Sequence, residues 1–211
     1  RFGSQIAEAL DVELSVHASG ALPRLLHART VDLAVGPAPA RDAAPPDLLA
    51  TPFLNYEIVC VTAPGHPLAD RAPGTRELWE QRWLLGPAAA DDQGVLPELL
   101  RRLQVPEARQ TIFQSDAAAL AEPRRSGGLC LTIEFAVTDD LARGRLVRVD
   151  LPGGRVRGTW SALALPAASQ LPACAELLRF ITTPRATQSM VHGSGARAGH
   201  FRPSVHVTLW S

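Results

Sequence analysis

The chain has 211 residues, 46% hydrophobic and 5% aromatic, with 21 basic and 21 acidic side chains and a formal net charge of zero. That length suffices for one large domain or two small lobes with a real core. The balanced charge makes no case for binding nucleic acid or an anionic membrane through the overall field, and no apolar run approaches the ~20 residues of a membrane span. Every basic residue is Arg, with no Lys anywhere.

The opening "RFGSQIAEAL" shows no signal-peptide pattern and reads as the end of a helix, so the true N-terminus is expected further upstream. From Asp11 to Gly36 the pattern is strand, helix, strand: "VELSV" alternates with period two, "GALPRLLHART" has helical spacing, and "VDLAVG" is a short run closed by glycine. This βαβ unit implies a parallel pair with a right-handed crossover. Ser19 takes the N-cap place of its helix and Pro23 falls in the first turn. The apolar run of "TVDLAVGPAP" suits a central parallel strand buried on both faces. Asp32 at its entry reads as structural, and Gly36 and Pro37 end it abruptly.

A proline-rich link ("APARDAAPPD") leads to two extended segments, "LLATPFL" and "YEIVCVTAP". After "GHPLAD" a second alternating set opens: helix "TRELWEQ", strand "RWLLG", helix "GVLPELLRRLQV", strand "RQTIFQ", helix "SDAAALAE" and strand "GLCLTI". A helix at "TDDLARG" ends at Gly144, a C′ position, before strands in "RLVRVDLPGG" and "RGTWSALALP". "ASQLPACAELLRFITT" is an amphipathic helix with Leu171, Ala175, Leu178 and Ile181 on one stripe. The tail from Val191 to Ser211 is Gly-rich and polar, and is expected to be flexible or loosely docked.

Catalytic readings fail one after another. Ser194 in "HGSGA" lacks the strand and helix that a nucleophile elbow needs. The six histidines are scattered, without the i, i+4 pairing of a zinc site, and His192, His200 and His206 fall in the tail. A Walker loop cannot exist without lysine, and no G-x-G-x-x-G follows a strand. Asp91/Asp92 and Asp139/Asp140 read as helix-start carboxylates. Cys60, Cys130 and Cys174 sit in apolar runs and read as buried reduced thiols. No cofactor or metal is called for. What remains is a set of strand-end and helix-start segments, "ASG", "GPAP", "VTAPGH", "LLGPAAADD" and "FQSDAA", of the kind that hold small ligands at the carboxyl ends of α/β strands.

These residues resemble the C-terminal effector-binding domain of LysR-type transcriptional regulators. The resemblance rests on "DVELSV", a helix and "RTVDLAVGP", then "YEIVCVTAPGHPLA", "LWEQRWLLGP" and "GGLCLTIEFAVTDDLARGRLVRV", in order from Asp11 to Thr183. It departs at Ile133, where the family usually has proline, and at Pro123, which interrupts a helix the family continues. The resemblance implies two Rossmann-like lobes joined by two crossing hinge strands, a type 2 periplasmic-binding-protein-like α/β fold. Lobe I is expected over residues 1–62 and 163–190, lobe II over 63–162 and a tail over 191–211.

It further implies a small-molecule effector between the lobes, a carboxylate or an aromatic acid, and no enzyme activity. By position the ligand would meet Ser19, Gly20, Gly36, Pro37, Thr62, Gly86, Ala88, Gln114, Ser115 and Thr132, with Ser19 and Thr62 foremost. DNA would be bound only through a winged helix-turn-helix preceding this segment, in a cytoplasmic homodimer or homotetramer pairing the strand near Val12–Val16 with the partner's helix at Leu171–Ile181. The domain's first strand is expected upstream of Arg1. The competing readings are an extracytoplasmic solute-binding protein of the same fold, against which the unmatched cysteines count, and an enzyme on this fold, against which the lack of paired catalytic groups counts.

Overall fold

The computed structural model describes residues 11–17, 19–37, 47–91, 94–191 and 204–209. The opening helix end, most of the proline-rich link, Asp92, Ser194, His192 and His200 lie outside them. Contacts divide the chain into two compact units, Arg1–Asn55 with Thr159–Ser211, and Tyr56–Gly158. The divisions fall before the expected 62/63 and 162/163 because of strand pairing. Ile58–Thr62 pair with strands of the second unit, whereas Trp160–Ala162 pair with a strand of the first.

Unit 1 opens with β1 (Asp11–Val16), a 3₁₀ turn (Ser19–Ala21), α1 (Leu22–His27) and β2 (Leu33–Pro37). It holds the start of β3 (Leu49–Thr62) and the end of β8 (Val156–Ala164), then α7 (Pro172–Ile181), α8 (Pro184–Val191) and β9 (Ser204–Leu209). Its strands run in the order β1-β9-β2-β8. β9 is parallel to β1 and β2, and β8 is antiparallel to β2. Period-two alternation sends Leu33 and Val35 into a cluster with Ala162, Ala164, Cys174, Leu177 and Ile181. It sends Ala34 to the other face, against Leu22, Leu26, Val31, Leu48 and Leu163. β2 is therefore buried on both faces, as its continuous apolar run requires, and each fully buried Leu or Ile contributes about 1.5–3 kcal/mol.

Unit 2 continues β3 into α2 (Thr75–Trp79), β4 (Trp83–Leu85), a 3₁₀ turn (Pro87–Ala90) and α3 (Val95–Arg102). Then come β5 (Gln110–Ile112), α4 (Asp116–Ala121), α5 (Pro123–Ser126), β6 (Leu129–Ile133), α6 (Glu134–Ala142) and β7 (Val147–Val149). β4 is parallel to β5 and β6, while β3 is antiparallel to β6 and β7. Val59, Val61, Leu84, Cys130, Val137 and Leu146 form the core between sheet and helices. Trp83 is fully buried and its Nε1 donates to the Leu78 carbonyl at 3.0 Å, so its one polar atom is satisfied. Gly128 holds φ +104°, and a Cβ there would lie 2.9 Å from the Arg82 carbonyl oxygen, so only glycine fits.

Several local expectations are corrected. The first helix is capped by Ala21 and not Ser19, because a 3₁₀ turn intervenes and Pro23 sits in the first helical turn. "LLATPFL" and "YEIVCVTAP" form one 14-residue strand. α6 begins at Glu134, directly after β6, so Asp139 and Asp140 lie in its second half, where Arg143 and the pair Arg124 and Arg145 hold them. Its end agrees with expectation, with Gly144 at φ +64°. The buried stripe of α7 is Cys174, Leu177 and Ile181, and Leu171 is exposed outside the helix. Within the tail, Ser204–Leu209 is a strand between β1 and β2, where a flexible or loosely docked segment was expected.

Candidate functional site

Parallel strands present their carboxyl ends on one edge of a sheet, where small residues and helix starts leave room for a ligand. In unit 1, Val16 and Val35 both pair with Leu209, so β1 ends two residues short of β2 on the same side of the sheet. Ser19 and Gly20 follow β1 in the 3₁₀ turn, and Gly36 and Pro37 are the last residues of β2. The structure therefore brings these four to one end of the unit 1 sheet. Gly36 is buried opposite Ser161, itself 2% exposed, and Gly20 is exposed.

Unit 2 repeats the arrangement. Trp83 pairs with Gln110 and with Leu129, so the three strands start level, β4 and β5 end together and β6 runs two residues further in the same direction. Gly86 follows β4, Ala88 lies in the next turn, Gln114 and Ser115 follow β5, and Thr132 is the penultimate residue of β6. The Phe113 amide donates to the Leu85 carbonyl at 2.8 Å and extends the parallel ladder to this edge. Ser115 is the N-cap of α4; its Oγ accepts the Ala118 amide at 3.2 Å, which uses the hydroxyl locally. Gln114 is exposed and Thr132 is half-buried.

Thr62 is the exception. β3 runs antiparallel to β6, with Val61 opposite Cys130 and Ile58 opposite Ile133. Thr62 thus lies at the amino end of β6, at the other end of the sheet from Gly86, Gln114 and Thr132. Its side chain is fully buried, and its Oγ1 donates to the Gly128 carbonyl at 2.8 Å. A buried hydroxyl with a well-formed bond is a structural element.

Asp116 was not foreseen from the sequence. Its Oδ1 lies 1.7 Å from where a Cβ on Gly86 would stand, so the carboxyl occupies the space that glycine leaves open at the end of β4. Burial pushes this carboxyl above its ordinary range, although the residue as a whole is exposed. Cys130 beneath is pushed up to about 12, first by burial and then by the Asp116 charge. With Ser115 committed to its helix, Gln114, Thr132 and Asp116 are the polar side chains that β5, β6 and α4 offer at this edge. On β3, the edge is reached by Tyr56 and Glu57; the Tyr56 hydroxyl is pushed up by burial.

Among the described residues no group of three or more His, Cys, Asp or Glu could hold a metal ion. Cys60, Cys130 and Cys174 are free and buried, as expected. Cys60 is pushed well up by burial and Cys174 to about 11, so all three are protonated and poor nucleophiles at neutral pH. Among the described residues no helix is long and apolar enough to cross a membrane.

Comparison with known proteins places this geometry in a family. The model of the LysR substrate binding domain matches residues 5–184. The HTH-type transcriptional regulator MT0391 of Mycobacterium tuberculosis is 47% identical over 209 residues, 99% of this chain and 65% of that protein. Among solved structures, the CcmR regulatory domain of Synechocystis PCC6803, in complex with 2-PG, superposes with a TM-score of 0.65 at 18% identity, covering 85% of each chain. The regulatory domain of MetR from N. meningitidis gives a TM-score of 0.62 at 17% identity, over 77% of this chain and 76% of that one. At such identities the superpositions speak for the fold, which is the type 2 periplasmic-binding-protein-like α/β fold expected.

Proposed function

Because this chain belongs to the LysR substrate binding domain family, we propose that it is the ligand-sensing regulatory part of a cytoplasmic bacterial transcription factor. A small-molecule effector is taken by the strand-end residues of the two units: Gly20, Gly36 and Pro37 in the first, and Gly86, Gln114, Asp116 and Thr132 in the second. The observation that carries this reading is the convergence of those residues, within each unit, at the carboxyl ends of parallel strands.

The chain spans 65% of the length of the curated relative it matches. DNA binding is assigned to a helix-turn-helix in the rest of such a protein, which accords with the neutral charge of this segment. Effector binding would act by changing the populations of homodimer or homotetramer arrangements, and so the spacing of the attached DNA-binding parts. The 2-PG complex of the CcmR domain supports a small acid as the effector class. The solute-binding alternative is weakened by the regulator named among the relatives.

A thermal-shift screen of small carboxylates and aromatic acids against the chain tests the reading. A hit is expected to lose affinity at least tenfold on Gln114→Ala, and in the full-length protein to change operator binding. A hit that is indifferent to Gln114→Ala and Gly36→Val, or one that leaves operator binding unchanged, would discard it.

A further inference from the structure

Unit 2 carries a feature that the strand-end site does not use. An open recess of about 410 Å³ lies beside β3, walled by β7, the start of β8 and the first turn of α6. It falls at the lower end of small-molecule pockets, which run from roughly 300 to 1,000 Å³. Ile58, Val149 and Val156 give it an apolar floor, and Glu57, Glu134, Arg148, Asp150 and Arg155 carry its charges.

Those charges are arranged unequally. The Glu57 side chain is only 12% exposed, whereas the arginines beside it, Arg155 at 3.4 Å and Arg157 at 3.7 Å, are 69% and 74% exposed. A largely buried carboxylate is thus covered by largely exposed cations. Across the recess the Arg148 guanidinium donates to the carboxylate of Glu134, the first residue of α6, with both side chains partly exposed. Ion pairs of this exposure exchange readily with other partners.

The pairing dictates what can enter. A bare anion on Arg148 strands Glu134, and a bare cation on Glu57 adds charge without releasing a carboxylate for the displaced arginine. A molecule bearing both charges occupies Glu57 and Arg148 together and adds no net charge, and the groups it frees, Glu134 at 39% and Arg155 at 69% exposure, are solvated where they stand. The acids lining the recess also outnumber the arginines, through Asp150. We propose that this recess binds a free amino acid or a similar small zwitterion, with its ammonium on the Glu57 carboxylate, its carboxylate on Arg148, and its side chain on the Ile58–Val156 floor. The site stands whether or not the strand ends take an effector, because it is contained in unit 2 and uses none of the residues assigned to the effector, although Glu57 reaches the same edge.

Isothermal titration of the 211-residue chain with each of the twenty common amino acids tests this, followed by the N-acetyl and carboxamide derivatives of every binder. At least one amino acid is expected to bind at micromolar to millimolar Kd, and each blocked derivative at least tenfold more weakly. Glu57→Gln and Arg148→Gln should each weaken binding at least tenfold, whereas Gln114→Ala at the strand ends should leave it within twofold. If Glu57→Gln melts early, Arg148→Gln and the blocked derivatives decide. Binding by none of the twenty, equal binding of the blocked forms, or loss of binding with Gln114→Ala alone overturns the proposal. The last result would at the same time favour the strand-end site.

Discussion

Thr62→Val removes one hydroxyl while keeping the β-branched shape of a strand residue. The structure fixes what that hydroxyl does: fully buried, it donates to the Gly128 carbonyl at 2.8 Å. That carbonyl belongs to the Gly128–Leu129 peptide, whose amide donates to the Arg82 carbonyl at 2.8 Å, so the peptide cannot turn to find another donor without breaking that bond. Loss of a buried hydrogen bond with its acceptor left in place costs about 1–3 kcal/mol. The added methyl returns up to about 0.8 kcal/mol, leaving a net destabilisation of about 1–2 kcal/mol. For a chain of this length each kcal/mol lowers Tm by about 2–4 °C, so a fall of about 2–8 °C is expected in a calorimetric or circular-dichroism melt. Thr62→Ser keeps the bond, loses one methyl, and should cost about 1 kcal/mol or somewhat more. Effector affinity should not change in either variant. Thr62→Val within about 0.5 kcal/mol of wild type, a difference ordinary at surface sites, would refute the hydrogen-bond argument. A tenfold loss of effector affinity without loss of stability would return Thr62 to the binding site.

Other substitutions probe the close approaches. At Gly158 a Cβ would meet Tyr56 Cζ at 2.2 Å; Gly158→Ala should destabilise by about 1–3 kcal/mol through overpacking, and Tyr56→Leu in the same chain should relieve part of that in a double-mutant cycle. Gly86→Ala drives the Asp116 carboxyl outward, which a flexible side chain can absorb at little cost. An NMR titration should then show the Asp116 carboxyl falling back towards the ordinary range, and no change would mean that burial over Gly86 does not raise it. The raised thiols set an alkaline limit: an unfolded thiol ionises near 9, whereas Cys130 holds its proton to about 12 and Cys174 to about 11. Their contribution to stability is therefore complete below pH 9 and is lost as pH rises towards those values. Thiol reagents at pH 7.5 should label the native chain far more slowly than the urea-unfolded one, and equal rates would contradict the burial.

Much of this was legible because local chemistry and fold agree. The run "VDLAVG" announces a two-faced buried strand, and Gly144 and Pro123 mark a helix end and a helix break where the structure has them. Strand ends were legible as a class, since small residues after apolar runs recur in both units. The errors came from information that pairing alone supplies. Nothing in "YEIVCVTAP" tells which end of β6 its threonine will meet, and antiparallel pairing put Thr62 at the far end. Asp116 and Glu57 read as an ordinary helix start and an ordinary strand polar residue until Gly86 and Arg155 stand beside them. The alternation of "SVHVTL" carried a strand signal that the Gly-rich stretch before it obscured.

The discontinuity of unit 1 bears on how the chain comes off the ribosome. Unit 2 is contiguous, from Tyr56 to Gly158, and its core can close as soon as that stretch has emerged. The cluster around Leu33 and Val35 must wait for Ala162, Cys174 and Ile181, so β2 is made early and stays without its antiparallel partner while more than a hundred further residues are synthesised. Contacts of such sequence separation form slowly and expose apolar strand in the interval. The early "LAVG" segment is thus the part of the nascent chain most dependent on chaperone protection.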